Sequence, residues 1–76
     1  MKFQVCFTSS LTVVPTVSYY PSLQDAAEAV HHFLLLGTYD RAAVYYGPTG
    51  GVLGIWRRAT RHGRNIVERI NEAVAA

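Results

Sequence analysis

The apolar residues of this chain change period part-way along, and that change excludes both an all-helical and an all-strand fold. Over Lys2–Thr8, Phe3, Val5 and Phe7 alternate with Gln4, Cys6 and Thr8, the period-two pattern of a half-buried strand. From Leu23 to Leu34 the apolar positions are Leu23, Ala26, Ala27, Val30, Phe33 and Leu34, the stripe of an amphipathic helix. A chain of 76 residues has room for one domain. Both periods therefore belong to a single α+β unit, residues 1–76.

Punctuation residues divide the rest. Ser9-Ser10 reads as a turn, and Leu11–Tyr20, rich in Val, Thr and Tyr, as a second strand. Pro15 cannot donate to a ladder, which makes that strand an edge or bends it. Ser22 is a good N-cap with Asp25 at N3, and Gly37 a natural C′ residue. Arg41–Tyr46 and Val52–Arg58 read as a hairpin around Gly47–Gly51. Pairing Tyr46 with Leu53 gathers Ala42, Val44, Leu53 and Ile55 on one face and leaves Tyr45 and Trp56 on the other. A slip of one residue sets Val44 opposite Gly54 and splits that aliphatic set. Asn65–Glu68 has capping-box spacing, so Ile66, Val67, Ile70, Ala73 and Val74 read as a second helical stripe.

The expected order is ββαββα, a four-stranded, mostly antiparallel sheet with two helices mainly on one face. The expected core is Phe3, Val5, Phe7, Val13, Val17, Leu23, Ala27, Val30, Leu34, Val44, Leu53, Ile55, Ile66, Ile70 and Val74.

Several function classes have no support in the residues. The single cysteine, Cys6, forms no internal disulfide, and no Cys/His spacing suits zinc. Packing alone, or packing with self-association, must hold so small a core. A reducing, cytoplasmic setting fits best. Gln4, Thr8, Ser9, Ser10 and Thr12 interrupt what would otherwise resemble a signal sequence, and no apolar run reaches membrane-spanning length. His31 and His32 diverge by about 100° on a helix, and Glu28 with His32 supplies two metal ligands rather than three. No serine sits in a nucleophile elbow, and Gly47–Gly51 lacks the Gly-Lys-Ser/Thr ending of a phosphate loop. The expectation is no catalytic residue, no metal and no cofactor.

Four of the seven Lys and Arg residues, Arg57, Arg58, Arg61 and Arg64, fall within eight positions beside the only Trp. With Trp56 and Tyr45 on a sheet face away from the helices, this segment can anchor a protein partner, since Trp, Tyr and Arg dominate interface hot spots. The same arginines can instead contact nucleic-acid phosphates, or the segment is a solvated loop. Adjacent tyrosines in strands point to opposite faces, so Tyr20, Tyr45 and Trp56 are expected to form an uncovered aromatic patch of the kind used in binding or self-association. A homodimer would relieve both that patch and an open sheet edge.

The Ala-rich helix Asp25–Val30, the stop at Gly37, and the hairpin of Val44–Gly47 with Val52–Trp56 resemble the layout of small phage and mobile-element accessory proteins, anti-CRISPR proteins among them. The resemblance covers about half the chain and is architectural. It implies a non-enzymatic inhibitor that occludes a surface on a host protein complex. Such proteins are often acidic mimics of DNA, whereas this chain carries a net charge of +2. A direct protein clamp is therefore the mode expected here, with nucleic-acid binding through Arg57–Arg64 as the alternative.

Overall fold

The structure is a computed structural model describing residues 1–10 and 12–70. Its elements are β1 (Phe3–Ser9), β2 (Thr12–Tyr20), α1 (Leu23–Leu36), β3 (Arg41–Tyr46), β4 (Gly51–Arg61) and β5 (Arg64–Arg69). The strands form one sheet in the order β2-β1-β3-β4-β5, with every neighbouring pair antiparallel. The fold is α+β as expected. Among the described residues, however, there are five strands and one helix, not four and two.

The helix begins and ends where local chemistry directs. Ser22 Oγ accepts the backbone N–H of Asp25 at 3.1 Å, and Gly37, at φ 81°, donates its N–H to Leu34 O. The left-handed conformation at Gly37 costs a residue with a Cβ about 1–2 kcal/mol. The helix leaves the end of β2 and reaches β5, where Asn65 Nδ2 donates to Leu35 O at 2.9 Å. That bond satisfies one of the carbonyls left open at a helix C-terminus. Asn65 thus caps α1 rather than opening a helix of its own.

The expected second helix is β5. Arg61 pairs with Arg64 across His62-Gly63, whose φ values are 53° and 74°. Positive φ at both central residues is the signature of the tight hairpin turn that matches strand twist. The β-branched Ile66 and Val67 then alternate faces instead of sharing a helical stripe. Asn71–Ala76 lie outside the described residues, and with them the expected core position Val74.

One side of the sheet packs on α1. Val5, Phe7, Ala26, Val30, Leu34, Ala42 and Val44 are almost wholly excluded from solvent. Phe7 stacks on Tyr39 at 4.9 Å and meets Phe33 edge-on at 5.3 Å. Ala26 and Ala42, absent from the expected core, belong to it, both wholly excluded from solvent. Val17 and Leu23, placed in the expected core, are 42% and 46% exposed.

The β3–β4 register also departs from expectation. Val44 faces Gly54, Ala42 faces Trp56 and Ala43 faces Ile55, with a shift before Tyr45↔Val52. This is the slipped pairing, and Gly54 explains why it is preferred. A Cβ built on Gly54 would lie 2.2 Å from Trp56 Cη2 and 2.6 Å from Cζ3. The missing side chain is the space in which the indole lies. The indole packs against the core beside Leu53, and Ile55 goes to the opposite face. An indole carries more apolar area than an isoleucine, so the exchange favours burial of the larger group.

Candidate functional site

The face of the sheet away from α1 has no covering layer among the described residues. Register and alternation place three side-chain rows on it. The first holds Tyr19, Gln4, Tyr45 and Val52. The second holds Val17, Cys6, Ala43 and Ile55, and Ile70 extends it, its N–H donating to Ile55 O. The third carries Thr8, Arg41, Arg57 and Glu68. The middle row contains no charge from one edge of the sheet to the other. Val17, Tyr19 and Val52 are 42%, 58% and 45% exposed, well above what a covered sheet face allows. A depression of about 400 Å3, lined by residues that include Cys6, Arg41, Ala43, Tyr45 and Ile55, lies at its centre.

The expected contact residues divide between the two faces. Tyr45 lies on the open face, as expected. Arg57 and Arg61 lie there too, both bound to Glu68, at 3.0 and 3.6 Å. Arg64 is exposed at the β4–β5 turn. Trp56, by contrast, is on the helix side, half-buried, with the Arg69 guanidinium 5.7 Å from its ring centroid. Arg69 is fixed in turn by donating to Leu53 O at 3.0 Å. The expected patch of Tyr20, Tyr45 and Trp56 therefore does not exist. Tyr20 pairs with Phe3 on the helix side, and only Tyr45 of the three faces away.

Arg58 is also on the helix side, and its role is architectural. Its guanidinium donates to Asp40 Oδ1 and, at 3.5 Å, to Asn65 Oδ1. Asp40 Oδ2 accepts the N–H of Ser10 at 2.6 Å, Asp40 N–H donates to Thr8 O, and Asp40 O accepts from Arg58 N–H. One residue thereby joins the β1–β2 turn, the start of β3 and the middle of β4. The Ser10 backbone bond, and after it the Arg58 guanidinium, hold the Asp40 carboxyl at about 2, below its ordinary 3.8.

These pairings thin the basic cluster. Three of its four arginines have a carboxylate partner within the chain. Among the described residues, Arg41 and Arg64 make no ion pair, and Arg41 is the one beside the apolar row. Sequence reasoning missed Arg41, Cys6, Ala43, Ile55, Val17 and Tyr19 as surface neighbours. The alternation that aligns them was visible in each strand, but the register that joins the strands was not.

A second, larger groove of about 630 Å3 lies between α1 and the end of β2, with Asp25, Glu28 and His32 among its lining. No group of three or more metal-binding side chains occurs among the described residues, and none of their helices is long and apolar enough to cross a membrane. Comparison with known proteins gave no matching family model, no matching curated protein and no matching solved structure.

Proposed function

We propose that this chain is a small non-enzymatic protein-interaction domain whose contact surface is the open face of its sheet. The observation that carries the reading is the uncharged row Val17–Cys6–Ala43–Ile55, which crosses the sheet beside the exposed Tyr19 and Val52. A contiguous exposed apolar surface with a polar rim is the mark of an interaction site. Tyr45 and Arg41 supply the aromatic and cationic groups that such surfaces favour. Trp56 and Arg58, spent on the core and on Asp40, do not take part. The resemblance to phage and mobile-element accessory proteins would make the partner a component of a host complex.

The nucleic-acid alternative is weaker on this geometry, because Glu68 and Asp40 offset the charge of Arg57, Arg58 and Arg61. Retention of binding partners by immobilised wild type, Ala43→Arg, Arg41→Glu and the helix-surface control Gln24→Ala tests the reading. Protein retained by wild type and Gln24→Ala but lost by both open-face variants is the expected result. Equal retention by all four removes the open face from consideration. Partners that are nuclease-sensitive and released steeply between about 50 and 200 mM salt favour phosphate contacts instead.

A further inference from the structure

We infer that the occupant of the open sheet face is a second copy of this chain, packed face to face about a two-fold axis that runs along the uncharged row. The inference rests on the open face being the contact surface and goes further by naming what covers it.

The size of the face fits. Five strands about 4.8 Å apart and three side-chain rows about 6.8 Å apart give a footprint of about 24 by 20 Å. With side-chain relief added, this is of the order of the ~800 Å2 per partner that a standard interface buries. The domain also has reason to bury it. Its sheet has a helix on one side only, and the other side exposes Val17, Tyr19 and Val52 around an uncharged row, apolar surface that a facing layer removes from water.

The arrangement of charge selects the partner and the axis. For aligned packing of two sheets, a two-fold axis in the plane of the sheet must run nearly along the strands or nearly across them. An axis along the strands, through central β3, would stack Arg41 on Arg41 of the second copy, a like-charge contact inside an apolar interface. An axis along the row lays the uncharged row on itself and exchanges the two flanking rows. Arg41 then lies over Tyr45 of the second copy, because both stand on β3, one row to either side of Ala43. Thr8 meets Gln4 in the same way on β1. Guanidinium over a phenol ring is a favourable contact, and hydroxyl with amide is a hydrogen-bonding pair. The strands of the two sheets run antiparallel across the interface, within the roughly 30° offset that aligned sheets adopt. The outer strands, β2 with Pro15 and β5 with its arginines, keep their free backbone edges at the rim of each sheet.

The same axis brings Cys6 opposite Cys6 of the second copy, and this chain has no other thiol. The test combines sedimentation equilibrium with thiol cross-linking. Wild type is expected to sediment at twice its 8.4 kDa. A short bis-maleimide is expected to join two chains through Cys6 in dilute solution, and Cys6→Ser to abolish the product. Ala43→Arg and Ile55→Lys should both give folded monomers at concentrations where wild type is dimeric. The cross-link uses the unmutated thiol, so it reads the interface even if a variant fails to fold. A monomeric wild type up to about 100 times the concentration of an ordinary micromolar dimer constant overturns the second copy and leaves a different protein as the occupant. A dimer that ignores Ala43→Arg and Ile55→Lys but is lost on Val67→Pro places the contact at the β5 edge and overturns the proposal. A dimer with no Cys6 cross-link overturns the axis.

Discussion

Replacing Gly54 with alanine isolates the contact that sets the β3–β4 register. Gly54 has no positive φ, so its backbone accepts a side chain, and the only obstacle is the indole of Trp56 at 2.2 Å from the new Cβ. The ring must leave its place over the strand or the strand must shift. Overpacking of this kind costs about 1–3 kcal/mol. In a domain of this size each kcal/mol lowers Tm by about 4–8 °C, so the expected loss is about 4–24 °C. Repeating the substitution in a Trp56→Val chain removes the obstacle. There alanine should be neutral or stabilising by about 0.5–1 kcal/mol, because glycine in a strand carries an entropic cost. The coupling between the two sites is then at least about 1 kcal/mol, above the ~0.5 kcal/mol scatter of independent sites. Urea unfolding of the four chains by far-ultraviolet circular dichroism, at one fixed protein concentration, measures it. A Gly54→Ala chain as stable as wild type, or an equal loss in both backgrounds, refutes the argument that glycine is there to seat the indole.

Asp40→Asn should lower the urea midpoint at pH 7. The wild-type carboxyl is held at about 2 against an ordinary 3.8, so its contribution is complete above about 4 and disappears as pH falls through that window. The two chains should therefore converge only as pH falls below about 2, and a gap that stays constant from pH 7 down through that window would show that the carboxylate charge is not the cause. His62→Asn should stabilise the β4–β5 turn by a few tenths of a kcal/mol, since Asn tolerates the positive φ of the first turn position better than most residues. Gly63→Ala should cost about 1–2 kcal/mol at the second position. Both are read from thermal unfolding, and a destabilised His62→Asn would argue against the turn type.

Local chemistry determined much of this protein. The alternation at Phe3, Val5 and Phe7, the cap at Ser22, the stripe through Ala26, Val30 and Leu34 and the stop at Gly37 each depend on neighbours a few residues away, and they place β1, β2, α1 and β3 correctly. Ile66, Val67 and Ile70 satisfy a helical stripe as readily as a strand, and two positive-φ residues at His62-Gly63 decided for the strand. Which side of the sheet each side chain of β4 faces depended on Gly54 making room for Trp56, on the extra residue at Leu53, and on Arg69 closing over the ring. Those are contacts between separate strands, and no single segment records them. The same long-range pairing turned Arg58 and Asp40 into a joint between three elements and lined Val17, Cys6, Ala43 and Ile55 into one uncharged row. A one-residue change of register moves every side chain to the opposite face, which is why the composition of the exposed surface was decided by tertiary structure alone.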